Sequence, residues 1–270
     1  MGFLANSSGV TEGENMLEIH QLLVMEDNYV YLLHDPASGA TAVVDPAEAE
    51  PVLAALDQKG WHLTHILNTH HHWDHVGGNL ALKQQTGCRV FGAERDRGQI
   101  PGLDVALREG DVVELGQIRA AVLEVPGHTQ GHLAYWFEDE AALFCGDTLF
   151  AMGCGRLLGG TAEEMWNSLD RISQLPPATR LYCAHEYTQA NGRFALTIEP
   201  GNLALFARME RVSIIRQQSR PTVPSLLAEE LATNPFLRPE SSEIRRTLGL
   251  EDAATVQVFA ETRRRKDGFR

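Results

Sequence analysis

The sequence predicts an α+β chain in two parts, a mixed β/α part followed by an all-helical one. Three observations predict it. Apolar runs of strand length alternate with helical patterns as far as residue 187, and only helical patterns follow. The charge balance changes at the same place: residues 1–187 carry 10 Lys and Arg against 26 Asp and Glu, and residues 188–270 carry 13 against 10. The length, 270 residues, suits one large domain or one with a smaller companion.

Residues 1–15 are polar and rich in Ser and Gly, and read as a disordered extension, with Met16 as an alternative start. The first part is then 16–187 and the second 188–270. Strands are expected at 17–25, 29–34 and 41–45, the third ended by Asp45-Pro46. A helix over 48–59 places Val52, Leu53 and Leu56 on one face and stops at Gly60. A strand at 63–69 and a short helix at 79–85, closed by Gly87, follow. Further strands are expected at 88–91, 112–115, 118–125, 132–137 and 141–145, an amphipathic helix at 162–175, and a last strand at 181–184. The helical part has candidates at 191–198, 203–217, 225–232 and 253–266.

Composition excludes several classes. With 43% hydrophobic and 22% charged residues the chain is neither disordered nor fibrous. No apolar run approaches the ~20 residues of a membrane helix. The first ten residues lack basic residues and a long apolar core, so a secretory signal is not expected. Asn6 departs from the myristoylation pattern that Met-Gly would otherwise open. A net charge of −13 disfavours nucleic acid and anionic membranes as partners. The expectation is a cytoplasmic monomer. Cys88, Cys145, Cys154 and Cys183 form no C-x-x-C pair and read as four buried thiols.

The informative stretch is Thr69-His70-His71-His72-Trp73-Asp74-His75, at the end of an expected strand. Four imidazoles and a carboxylate within six positions would each need a polar partner if they were only structural. Together they suit a divalent metal such as zinc, iron or manganese. His70 and His72 point the same way in an extended loop, and Asp74 and His75 lie beyond a bend where they can reach a second ion. Three more candidates each follow a strand: His128 in Pro-Gly-His-Thr, Asp147 in Cys-Gly-Asp-Thr and His185 in Cys-Ala-His-Glu. Singly they read as a turn histidine, a helix cap and a strand-end histidine. With the cluster they complete two sets of three ligands and one shared carboxylate. His71 and His132 either support the ligand rings or are simply exposed, the second being the simpler reading. Trp73 reads as a packing wall.

His70-x-His72-x-Asp74-His75 followed by His128, Asp147 and His185 resembles the metallo-β-lactamase superfamily over roughly residues 17–187. The resemblance implies an αβ/βα sandwich of two mixed sheets with helices outside and the site at one edge. It implies that His70, His72 and His128 hold one ion, that Asp74, His75 and His185 hold the other, and that Asp147 bridges them. Gly153-Cys154-Gly155-Arg156, His185-Glu186-Tyr187-Thr188, Asn234-Pro235-Phe236-Leu237-Arg238 and the terminal Arg263-Arg264-Arg265-Lys266-Asp267-Gly268-Phe269 are similar to the glyoxalase II, or hydroxyacylglutathione hydrolase, family. That implies hydrolysis of an S-2-hydroxyacylglutathione thioester such as S-D-lactoylglutathione, the second step of methylglyoxal detoxification. The attacking group is a hydroxide bridging two divalent ions, zinc foremost with iron or manganese as alternatives. Asp147 and Asp74 are the catalytic carboxylates, Asp74 as a ligand and a candidate proton acceptor. Arg156, Tyr187, Arg263 and Lys266 are implied to bind the glutathione moiety. Read alone, the basic run at 263–266 is as well explained as a solvated helix end. One departure is Leu158, where some family members carry an aromatic residue. The alternative within the superfamily is a glutathione persulfide dioxygenase with a single iron.

Overall fold

The computed structural model describes residues 17–269, so the extension expected at 1–15 lies outside the described residues. In chain order the elements are β1 (Glu18–Val24), β2 (Asn28–His34), β3 (Thr41–Val44), α1 (Ala49–Lys59), β4 (Leu63–Leu67), α2 (Trp73–Val76), α3 (Asn79–Thr86), β5 (Arg89–Ala93) and β6 (Val105–Leu107). Then come β7 (Val112–Leu115), β8 (Ile118–Glu124), β9 (Leu133–Phe137), β10 (Ala142–Gly146), β11 (Leu149–Phe150), β12 (Gly153–Cys154), α4 (Ala162–Ser173) and β13 (Arg180–Cys183). The remainder is α5 (Thr188–Ile198), α6 (Leu203–Gln217), β14 (Ser225–Leu226), α7 (Leu227–Thr233), α8 (Ser242–Leu248) and α9 (Thr255–Asp267).

Two six-stranded mixed sheets face each other, ordered β1-β2-β3-β4-β5-β6 and β14-β13-β10-β9-β8-β7. Strand β2 shows why the layers form. Its sequence Asn-Tyr-Val-Tyr-Leu-Leu-His is apolar on both faces, as a strand covered on both sides must be. Tyr29, Tyr31 and Leu33 enter the core between the sheets, and Val30 and Leu32 enter a second core shared with Val52 and Leu56 of α1 and Leu82 of α3. On the far side Met165, Leu169 and Ile172 of α4 join the main core. That helix begins at a capping box in which Thr161 and Glu164 satisfy each other's backbone amides.

Most expected elements are present, with ends shifted by a residue or three. The strand at 181–184 is not the last: Leu181 and Arg180 of β13 pair with Ser225 and Leu226 of β14, so the helical part contributes an edge strand to the second sheet. Four elements escape pattern reading because they are too short for a period to show: α2, β6, and the β11–β12 hairpin. Helix α8 was also unforeseen, although Ser241 caps it and Gly249, at φ 70°, closes it. All four cysteines are buried and free, as expected. No described helix is long and apolar enough to cross a membrane.

The sheets meet through aromatic rings. Phe144 of β10 is fully buried, stacks on Tyr182 at 4.7 Å and meets Tyr31 and Phe137 edge-on at 5.4 and 5.6 Å. Phe144→Ala should therefore cost roughly 3–5 kcal/mol of stability. Urea unfolding followed by circular dichroism measures it, and a loss below ~1 kcal/mol would show that the ring does not pack as described.

Candidate metal centre

The site lies where chain segments leave the strands. The parallel strands β3 and β4 end at Val44 and Leu67, and β10 and β13 run parallel beside them in the other sheet. Three backbone bonds stitch the sheets at this edge: Tyr29 N to Ala184 O at 2.7 Å, Glu186 N to Asp27 O at 2.9 Å and Leu133 N to Thr69 O at 2.7 Å. The turn after β4 carries His70 and His72, and the single turn α2 carries Asp74 and His75. His128 comes from the β8–β9 loop, and Asp147 and His185 directly follow β10 and β13.

These side chains converge on two centres. His72 Nδ1 lies 3.0 Å from His70 Nε2 and 3.1 Å from His128 Nε2, and these three ligand atoms form one set. Asp74, His75 and His185 form the other, with Asp74 Oδ2 3.7 and 3.6 Å from the two Nε2 atoms. Asp147 stands between them: Oδ2 is 3.4 Å from His128 Nε2, and Oδ1 is 3.5 and 3.3 Å from His75 and His185 Nε2. His75 Nε2 and Asp147 Oδ1 are buried without a hydrogen-bond partner. Buried polar atoms left without a partner 3.5 Å apart are what a metal site requires. Nitrogen and oxygen donors in sets of three fit borderline divalent cations.

The outer nitrogens are held too. His70 Nδ1 is 3.0 Å from Thr69 Oγ1, His75 Nδ1 3.0 Å from Asp45 Oδ2, His128 Nδ1 2.8 Å from the Arg156 carbonyl and His185 Nδ1 2.9 Å from Asp27 Oδ1. Such partners fix ring orientation and tautomer. Asp45 is the busiest: it also accepts from Thr69 N at 2.7 Å and Thr69 Oγ1 at 2.6 Å. Its backbone sits at φ 49°, a left-handed conformation uncommon in non-glycine residues, which these hydrogen bonds help to hold. Asn28 Nδ2 donates to the Asp74 carbonyl and to Asp74 Oδ2 at 3.1 and 3.3 Å.

Electrostatics divide the imidazoles. Burial and the neighbouring His75 and His132 push His70 well below its usual range, and burial with His128 brings His72 down to about 4. These rings are neutral and ready to ligate at pH 7. Burial opposes the charged form of His185, yet Asp147 raises it to about 9; His75 is raised likewise by Asp147 and Asp45. Burial also works against ionisation of Asp147, but His185, His75 and His128 outweigh it and hold the carboxyl below the ordinary carboxylate range. A cation would take over that role and displace protons from His75 and His185.

The structure brings together all seven ligand candidates read from the sequence. It corrects two neighbours. His132 is not exposed: it is buried, its ring stacks on His70 at 4.7 Å, and its Nε2 accepts from the Asp147 amide at 3.1 Å. Trp73 is no packing wall, being 70% exposed. His71 is partly buried and pairs with Asp96 at 2.8 Å. Sequence reading missed Asp27, Asn28 and Asp45. The one local signal was the Asp45-Pro46 pair, read only as a strand end.

A cavity of about 270 Å³ opens from His128 and Asp147 and is lined also by Arg156, Tyr187, Arg263 and Lys266. Tyr187 stacks face to face on His185 at 4.7 Å and meets Phe150 edge-on at 5.3 Å. The two cations of α9 differ. Arg263 is buried, donates to the Cys154 carbonyl at 2.7 Å and pairs with Asp267 at 2.8 Å. Lys266 lies 5.7 Å from the ring centres of Phe194 and Phe269 and has no ion pair among the described residues; nor has the exposed Arg156. Of the rest of the basic run, Arg264 is a solvated helix end paired to Glu261, while Arg265 pairs with Glu261 and donates to the Thr247 and Leu248 carbonyls of α8. Gly155 permits the close approach of Arg156 to the centre, since a Cβ there would meet the Asp147 carbonyl at 2.0 Å.

Asp45→Ala should weaken metal binding by about 10–100-fold while leaving the ligand set intact. Competition with a chromophoric chelator reads the affinity directly, and wild-type affinity in the variant would remove Asp45 from the supporting role.

Comparison with known proteins agrees with this geometry. The family model described as the metallo-β-lactamase superfamily matches residues 25–185, and that of the hydroxyacylglutathione hydrolase C-terminus matches 186–269. A hydroxyacylglutathione hydrolase of Methylococcus capsulatus is 67% identical over 94% of this chain and 100% of its own length. One of Rhodospirillum rubrum is 53% identical over 94% of this chain and 99% of its own. Among solved structures, ETHE1 from Myxococcus xanthus aligns with a TM-score of 0.63 at 27% identity, over 93% of this chain and 99% of that one. The BLEG-1 B3 metallo-β-lactamase, at 22% identity and TM-score 0.63 over 83% of this chain and 100% of that one, shares the fold. The chain belongs to the hydroxyacylglutathione hydrolase family of the metallo-β-lactamase superfamily.

Proposed function

We propose that this protein hydrolyses the thioester of S-2-hydroxyacylglutathione, S-D-lactoylglutathione being the reference substrate, to a 2-hydroxy acid and glutathione. The observation that carries the reading is the pair of ligand triads with Asp147 between them, opening into the cavity that holds Arg156 and Lys266. The relatives named for this activity, 53 and 67% identical over nearly the whole chain, support it. Two complete triads favour a two-ion centre over the single-iron dioxygenase alternative. Zinc is the proposed occupant, with iron or manganese as alternatives, since imidazole and carboxylate donors suit all three.

His70, His72 and His128 would hold one ion, Asp74, His75 and His185 the other, and Asp147 both. Two bound divalent ions supply a hydroxide nucleophile at neutral pH and Lewis-acid polarisation of the thioester carbonyl. The chain's own groups do the rest. Asp74, about a quarter exposed and steadied by Asn28, can accept a proton. Arg156 and Lys266 attract the carboxylates of the glutathione moiety into the acidic protein. Tyr187, fixed by His185 and Phe150, offers its hydroxyl at the same wall. The leaving thiolate, of pKa about 8.5, departs without a dedicated general acid.

Turnover of S-D-lactoylglutathione, measured beside metal content, tests the reading. Two ions per chain with turnover are expected. Full metal loading with no thioester hydrolysis would sink it, and one iron per chain with oxygen consumption would favour the dioxygenase.

Two substitutions sharpen this. Asp147→Ala should lose the two-ion centre, and two ions still tightly bound in that variant would end the bridging assignment. Lys266→Ala removes a cation that has no ion pair among the described residues, so it should raise KM by about 10-fold with kcat nearly unchanged, the mark of lost uniform binding. The effect should fade for a neutral thioester, and an unchanged KM for the glutathione substrate would leave Arg156 as the anchoring cation.

A further inference from the structure

The motif at 234–238 has no part in the chemistry above, and Asn234 is fully buried away from the cavity. Its contacts converge on one place, the β11–β12 hairpin. Asn234 Nδ2 donates to the Phe150 carbonyl at 3.1 Å and the Gly153 carbonyl at 3.0 Å. Glu230, also fully buried, accepts from Met152 N at 2.8 Å. Asn191 Nδ2 donates to the Ala151 carbonyl at 3.1 Å, and Arg263 to the Cys154 carbonyl at 2.7 Å. Each residue from 150 to 154 is thus gripped at its backbone by a side chain of the helical part.

The hairpin needs such a grip. Met152 adopts φ 55°, a left-handed conformation disfavoured for its side chain. The two strands are only two residues each and bond only to one another as a sheet. What the hairpin presents is functional: Phe150 stands against Tyr187, and the chain leaving Cys154 sets Arg156, whose carbonyl faces His128 Nδ1. Glu230 is itself locked, its other oxygen taken by the buried Arg208, which also donates to Thr233 at 2.7 Å.

We infer that Asn234, with Glu230, is a positioning residue for thioester binding: it holds the β11–β12 hairpin in the conformation that presents Phe150 and Arg156 to the cavity. The helical part then serves binding in two ways, directly through Lys266 and indirectly through this clamp. The inference rests on the proposed thioesterase reading for its kinetic consequence, but not for its structural one.

Asn234→Ser separates the roles of the side chain. A serine oxygen can still accept from Phe236 N, as Asn234 Oδ1 does at 3.0 Å, but it cannot span both carbonyls. Asn234→Ala removes everything. Both variants should exchange amide hydrogens over 149–156 at least ~10-fold faster than wild type, with β9 and β10 unchanged. Both should keep two ions per chain and raise KM for S-D-lactoylglutathione several-fold, with kcat within about threefold. Unchanged exchange over 149–156 in the serine variant overturns the clamp. So does a loss of folding in that variant, or a KM effect confined to the alanine variant, because either outcome assigns Asn234 to the core or to the turn at Phe236. Absence of turnover in the wild type defeats the proposed function instead, and the exchange measurement still decides the clamp.

Discussion

A carboxylate buried among imidazoles survives only if its charge is answered, and Asp147 is such a group. Desolvation alone would push it toward the neutral form, where it could neither ligate nor bridge. His128 on one side and His75 and His185 on the other reverse that tendency. The geometry of the centre follows from this need. Each of the three rings is turned toward Asp147 by a partner on its far nitrogen: the Arg156 carbonyl, Asp45 and Asp27. Asp45 follows β3 of the first sheet, Asp27 lies in the turn between β1 and β2, and Arg156 follows the β11–β12 hairpin, while Asp147 and His185 themselves follow strands of the second sheet. The two layers must be docked in register for the carboxylate to be stable.

The sandwich provides that docking. Strand ends supply the ligands because parallel strands deliver their outgoing chain at one edge, and β3, β4, β10 and β13 share that edge. The aromatic packing of Tyr31, Phe144 and Tyr182 beneath it makes the layers hard to slide. Rigidity below and loops above suit a centre whose ligands must lie within a few tenths of an ångström.

Much of this was legible in the sequence, for a physical reason. Ligand histidines clustered after a strand have few alternative uses, so His70, His72 and His75 stood out at once. His128, Asp147 and His185 were weaker signals singly, and became legible because each followed a strand beside Gly or Ala. Asp45 and Asp27 were not legible, since a single Asp after a strand or in a turn resembles an ordinary cap. His132 was misjudged for a similar reason: nothing local says that a histidine at a strand's start will stack on another ring. Asn234 stood within a recognisable motif, but its partner Phe150 lies 84 residues away, and only the folded chain joins them. The strand β14, two residues long, carried no periodicity at all.

That short strand bears on how the chain can be divided. The chain forms α5 and α6 before it returns to lay Ser225 and Leu226 along β13. A protein ended at 187 would leave β13 as a bare sheet edge, with unpaired backbone donors and acceptors inviting a second copy. The helical part thus completes a sheet that begins in the first part. Chimaeras between relatives would preserve their sheets if joined beyond 226 rather than at the apparent seam, because the sequence boundary and the mechanical boundary fall at different places.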